Sequence, residues 1–146
     1  MVIAVDFDGT CATNKFPDIG QNIGAQYVLK CLFVNGHDIV LNTVRSSRPN
    51  HRDILKEAVE WFIKQGIPLY GINEIPNQKE YSSSPKVNAD LYIDDHSLGI
   101  PLIRTVRFNP FVDWIKASYM LQEMNLIKES ELLILIPHIM EDLKKL

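Results

Sequence analysis

Cysteine is nearly absent from this chain of 146 residues: only Cys11 and Cys31 occur, and they form no Cys-x-x-Cys pair. A disulfide framework is therefore excluded, and free thiols are expected. Cys11 reads as a small half-buried side chain rather than a nucleophile. Long apolar runs are lacking too. None approaches the roughly 20 residues of a membrane span, and the apolar start has neither the basic flank nor the cleavage site of a signal peptide. A cytoplasmic protein with no membrane partner is the expectation. Nor does charge of one sign dominate, since 15 Lys and Arg face 18 Asp and Glu for a net charge of -3. Such a balance gives no general attraction to nucleic acid or to anionic lipid. There is no internal repeat and no low-complexity tract. What remains is the composition of an ordinary globular domain, 46% hydrophobic and 23% charged, of a length that forms one domain with a real core.

The chain then reads as alternating strands and helices. Val2-Ile3-Ala4-Val5 is a buried strand that runs into Asp6-Phe7-Asp8-Gly9-Thr10. Residues 11 to 21 are polar, with Pro17 and Gly20 as breakers, and form a loop or small flap. Ile23, Tyr27, Cys31 and Val34 recur at helical spacing, with Gly36 at the position of a helix end. Residues 37 to 43 are a second strand ending in Asn42-Thr43. Asn50, with Asp53 three residues on, starts a second helix that Gly66 closes. Residues 68 to 72 make a third strand, 73 to 88 a loop with at most a short helix, and Leu91-Tyr92-Ile93 a fourth strand ending in Asp94-Asp95. Residues 102 to 108 supply a fifth strand. From about Asn109 the pattern is helical: Phe111, Ile115, Leu121 and Met124 mark one helix, and residues 132 to 143 another that Pro137 kinks or breaks. This alternation predicts an α/β fold, a three-layer Rossmann-like arrangement with a central parallel sheet and a C-terminal helical extension.

Polar residues recur at the carboxyl ends of the strands, where ligands bind in open parallel sheets. If these tips gather, Asp6, Asp8, Asp94 and Asp95 crowd a small volume, which is costly unless a cation sits among them. Hard oxygen ligands without suitably spaced His or Cys point to Mg²⁺, and Mg²⁺ in turn to a phosphorylated substrate. A carboxylate can attack a phosphoryl group once metal and ammonium charge offset the repulsion between anions. Lys86 is the available ammonium and Thr43 a hydroxyl donor. Asp8, two residues from Asp6 and facing the same opening, can move the proton. Lys79 competes with Lys86, which is preferred because it stands just before the fourth strand.

These residues resemble the four motifs of the haloacid dehalogenase superfamily of phosphatases, over roughly residues 2 to 108. Asp6-Phe7-Asp8-Gly9-Thr10 matches the first motif, Leu41-Asn42-Thr43 resembles the second, Lys86 the third and Asp94-Asp95 the fourth. The resemblance implies Asp6 as nucleophile, Asp8 as general acid/base, and a Mg²⁺ held by Asp6, Asp94, Asp95 and the backbone carbonyl of Asp8. Thr43 and Lys86 complete the catalytic set, while Gly9, Thr10, Thr43 and Arg45 border the phosphoryl group. It further implies a sheet order of 5-4-1-2-3, with residues 1–108 as the catalytic core and 109–146 as the extension, packed on the core or on a partner subunit. No stretch is long enough for a cap domain. An open site suits a bulky substrate, as in the capless phosphatases, which include the phosphatase half of polynucleotide kinase-phosphatases.

The expected function is Mg²⁺-dependent hydrolysis of a phosphomonoester, from a 3'-phosphorylated nucleic-acid end or a phosphorylated sugar or metabolite. Nucleic acid is the less favoured partner, suggested only by the cluster Arg45, Arg48, His51 and Arg52. A second copy could associate through the C-terminal helices. The alternative is a non-catalytic or regulatory binding protein of the same fold. A response-regulator receiver domain has similar residues in a different order and is set aside. His96, beside Asp95, reads as a surface residue.

Overall fold

The computed structural model describes residues 1–146. Four parallel strands form the central sheet: β1 (Val2–Val5), β2 (Asp38–Leu41), β3 (Gly71–Ile72) and β4 (Leu91–Ile93). Their spatial order is β3-β2-β1-β4. Strand β1, buried along most of its length, is flanked by β2 with Val5 opposite Leu41 and by β4 with Val5 opposite Ile93. Because neighbouring strands lie about 4.8 Å apart, this register brings the carboxyl tips of β4, β1 and β2 side by side. The polar residues that follow each strand therefore share one edge.

Between β1 and β2 runs α1 (Ala25–Val34), and between β2 and β3 runs α2 (Ile54–Gln65). The side chain of Asp53 caps α2 by accepting from the Lys56 backbone N–H, and Gly66, at φ 66°, ends it. The cap is thus Asp53 rather than Asn50, which sits in the left-handed region upstream. The stretch from 73 to 88 holds one short helix, α3 (Gln78–Tyr81).

Beyond β4 the expected layout is corrected. Leu102–Ile103 (β5) does not join the parallel sheet but pairs antiparallel with Phe111–Val112 (β6). The reason is geometric: a parallel neighbour needs a crossover of a dozen or more residues, and only residues 94 to 101 separate β4 from β5. The chain instead turns where the Thr105 hydroxyl accepts from the Phe108 backbone N–H. Phe111 consequently lies in a strand and not in the first C-terminal helix.

Helices α4 (Trp114–Glu123) and α5 (Glu129–Leu143) follow, and α5 runs through Pro137 without a break. No helix is long and apolar enough to cross a membrane. One continuous core of 27 buried residues includes Val5, Phe7 and Leu41 as well as Trp114, Leu121 and Ile139, so the packing has no seam at residue 108. The tail also braces the loop after β1. Val112 N–H donates to the Gly9 carbonyl at 2.8 Å, and the buried indole N–H of Trp114 donates to the Thr10 carbonyl at 2.7 Å. Trp114→Phe removes that donor and leaves a buried carbonyl unpaired, so a loss of about 2 kcal/mol is expected in a denaturant titration. An unchanged midpoint would show the brace to be dispensable.

Candidate active site

The tip of β1 places its two acids through simple alternation. Asp6 and Asp8 face the opening while Phe7, between them, is fully buried and meets Trp61 edge-on at 5.6 Å. Gly9 follows at φ 84°, and a Cβ there would overlap the Asp95 carboxylate. Only glycine lets the β1 loop and the β4 tip approach so closely. Thr10 is wholly buried, and its hydroxyl joins the two tips by donating to Asp6 Oδ2 at 3.2 Å and accepting from the Asp95 backbone N–H at 3.0 Å.

Asp6 is the perturbed acid of the site. Burial first, and then the neighbouring charges of Asp94 and Asp95, push its pKa from 3.8 up to about 7. Asp95 is also held above its ordinary value by burial, with the adjacent His96 acting against that. Asp95 in turn raises the His96 imidazole, whose Nδ1 lies 2.9 Å from Asp95 Oδ1. Asp94, Asp95 and His96 offer ligand atoms within 4.8 Å of one another. Cys11 is fully buried, its thiol donates to the Asp6 carbonyl at 3.2 Å, and burial raises its pKa further. It is an inert thiol, more buried than its sequence position suggested.

Arg45 departs from expectation. Its guanidinium forks onto Asp8, with Nε 2.7 Å from Oδ2 and Nη2 2.6 Å from Oδ1. The remaining N–H groups reach the carbonyls of Pro17, Asp18 and, at 3.4 Å, Ile54. The side chain is 0% exposed and lies between the rings of Phe7 and Phe16, 5.0 and 5.4 Å from their centroids. All five donors are committed, so Arg45 has none left for a phosphoryl group. It is a positioning residue for Asp8 and for the flap, and the assignment as a substrate contact is corrected. Gly9 and Thr10 stand against the acids with their own donors engaged: the Gly9 N–H donates to Ala12 O and the Thr10 hydroxyl lies between Asp6 and Asp95.

Thr43 stands at the β2 tip. Asn73, from the loop after β3, accepts its backbone N–H at 2.7 Å, and its hydroxyl oxygen accepts from Arg45 N–H, which leaves the hydroxyl proton to donate. Neither candidate lysine touches Asp6. Lys86 Nζ lies 5.4 Å from the Tyr92 ring centroid, and Lys79 pairs with Glu74 at 2.8 Å. The structure therefore gathers Asp6, Asp8, Thr43, Asp94 and Asp95, and leaves Lys86 outside. Trp114 and Asn73, which support the site from afar, carry no signal in the sequence.

No family model and no curated protein matches the chain. Among solved structures, a conserved protein from Bacteroides thetaiotaomicron superposes with a TM-score of 0.67 at 35% sequence identity. The match covers 85% of this chain and 91% of that one. At that identity and coverage the likeness extends beyond a shared fold, and the chain belongs to the same family as this conserved Bacteroides protein.

Proposed function

We propose that the chain is a Mg²⁺-dependent phosphomonoester hydrolase of the haloacid dehalogenase type, acting through an aspartyl-phosphate on Asp6. The observation that carries this reading is the state of Asp6, a carboxylate withdrawn from water and raised to about 7 by burial and two neighbouring acids. No cation is among the main charges acting on it. Asp6, Asp94 and Asp95 offer hard oxygen donors at one sheet edge, with the Asp8 carbonyl as a fourth, and a set of this chemistry fits Mg²⁺. Once bound, the ion supplies charge neutralisation and Lewis acidity.

The residues divide the remaining work. Asp6 attacks phosphorus, and the bond from phosphorus to the leaving oxygen breaks. Asp8 gives that oxygen its proton, then takes a proton from the water that cleaves the aspartyl-phosphate and frees phosphate. The Arg45 fork uses two of the roughly four lone-pair sites on Asp8, and the proton that Asp8 gives in the first step is one taken up from solvent beforehand on a site the fork leaves free. Thr43 donates its hydroxyl proton to a phosphoryl oxygen. A contact between cation and ring is worth only about 1 kcal/mol at an exposed site, so Lys86 leaves Tyr92 for a bound phosphate at small cost. Replacing Lys86 with Met is then expected to cut turnover by at least about 100-fold, whereas Lys79→Met leaves it unchanged. The substrate is a bulky phosphomonoester, such as a 3'-phosphorylated nucleic-acid end or a phosphorylated sugar.

Phosphate release from p-nitrophenyl phosphate and a panel of phosphorylated metabolites, with and without Mg²⁺, tests the reading. Absence of metal-dependent turnover on every compound overturns it. One observation favours a second reading, a binding protein without turnover: neither lysine lies against Asp6. Retention of a phosphorylated ligand without its hydrolysis is the outcome that reading expects.

A further inference from the structure

On the β2 side of the site, the flap and the loop after β2 enclose a cleft of about 410 Å³. Its lining mixes two chemistries: Phe16, Pro17, Val44 and Ile54 are apolar, and Ser46, Arg48, His51 and Arg52 are polar. Val44 is the residue after Thr43 and is 89% exposed, while Phe16 is 52% exposed although the Arg45 guanidinium covers one face of its ring. Core packing does not explain either exposure. The cations differ as well. Arg52, at the rim, is engaged with Asp18 and Glu57, whereas Arg48 has no ionic partner.

An open aromatic face in a cleft that Val44, the residue after Thr43, also lines suits a flat ring, and an uncommitted guanidinium suits an anion. The volume lies within the ordinary range of small-molecule sites. Building on the hydrolase reading, we infer that this cleft receives the leaving group and that the leaving group is a nucleoside carrying a second phosphate. The base lies on the open face of Phe16, and the retained phosphate meets Arg48. The same chemistry is presented by a free nucleoside bisphosphate and by the 3'-phosphorylated end of a strand.

The test is calorimetric binding in the presence of Mg²⁺ to the Asp6→Asn protein, so that turnover does not intervene. Adenosine 3',5'-bisphosphate is expected to bind about ten-fold more tightly than adenosine 3'-monophosphate, and adding Arg48→Ala to erase that difference. Phe16→Leu, which keeps an apolar backing for Arg45, should weaken both nucleotides about ten-fold and leave inorganic phosphate unaffected. Tighter binding of a 3'-phosphorylated oligonucleotide than of the bisphosphate supports the strand end as source, and the reverse order supports the free nucleotide. Bisphosphate affinity that is indifferent to Arg48→Ala overturns the inference, as does nucleotide binding no tighter than inorganic phosphate. Turnover of p-nitrophenyl phosphate without Arg48-dependent nucleotide binding removes this inference alone. Arg48-dependent binding with no turnover of any phosphomonoester removes the hydrolase reading, and the leaving-group role with it.

Discussion

Replacing Arg45 with Ala is expected to destabilise the chain by about 4 kcal/mol, within the range for breaking a buried ion pair from one side. The guanidinium has 0% exposed side-chain surface and Asp8 only 12%, so the loss leaves a carboxylate partly buried without a partner. It also orphans the carbonyls of Pro17 and Asp18 and empties the slot between Phe7 and Phe16. For a chain of this size the melting temperature should fall by roughly 10 °C. Lys at the same position should recover little, because an ammonium cannot fork onto both Asp8 oxygens while serving the flap carbonyls. Any phosphatase activity should fall with either substitution, since Asp8 loses its orientation. The comparison to make is a denaturant titration of the three proteins beside a turnover assay. A change below about 1 kcal/mol, in the range of an exposed pair, would place the fork among surface contacts and remove its positioning role.

Asp6→Asn should separate stability from activity in the opposite sense. The folded chain keeps a proton on Asp6 up to a pKa of about 7, while the unfolded chain releases it near 3.8. Between these values the native state binds more protons, so stability falls as pH rises through the window and stays reduced above it. Asparagine does not ionise and escapes this loss. At pH 8 and without metal, the variant should exceed the parent by on the order of 4 kcal/mol, while below pH 4 the two should converge. Under the hydrolase reading the variant has no nucleophile, so turnover should drop to background. Mg²⁺ should raise the melting temperature of the parent more than that of the variant. Melting curves from pH 3 to 8 supply the comparison. An advantage that does not grow with pH would contradict the assigned perturbation, and full activity in the variant would exclude Asp6 as the attacking group.

Much of the scaffold could be read from local pattern. Strands β1, β2 and β4 are short apolar runs ending in Asp6, Thr43 and Asp94, and each announces itself within a few residues. The meeting of these tips needed only the right strand order. What escaped depends on partners distant in the chain. Arg45 looked like a substrate contact because its proximity to Thr43 was visible, while its fork onto Asp8, 37 residues away, was not. No local pattern marks Trp114, whose indole reaches Thr10 across 104 positions. Lys86 precedes β4 in sequence, but the fold of the 73 to 90 segment turns its ammonium toward Tyr92. The fifth strand was misplaced because a propensity for extended backbone says nothing about which edge the strand will find.

The bonds from Val112 to Gly9 and from Trp114 to Thr10 bear on the order in which the molecule matures during translation. A nascent chain that has emerged only through β4 holds all its acids, yet the turn that carries them has no outer support. The buried Trp114 and the helices behind it must leave the ribosome before that turn is clamped. Maturation of the site is thereby tied to late stages of synthesis, and fragments halted before residue 112 should carry the motif residues without a finished pocket.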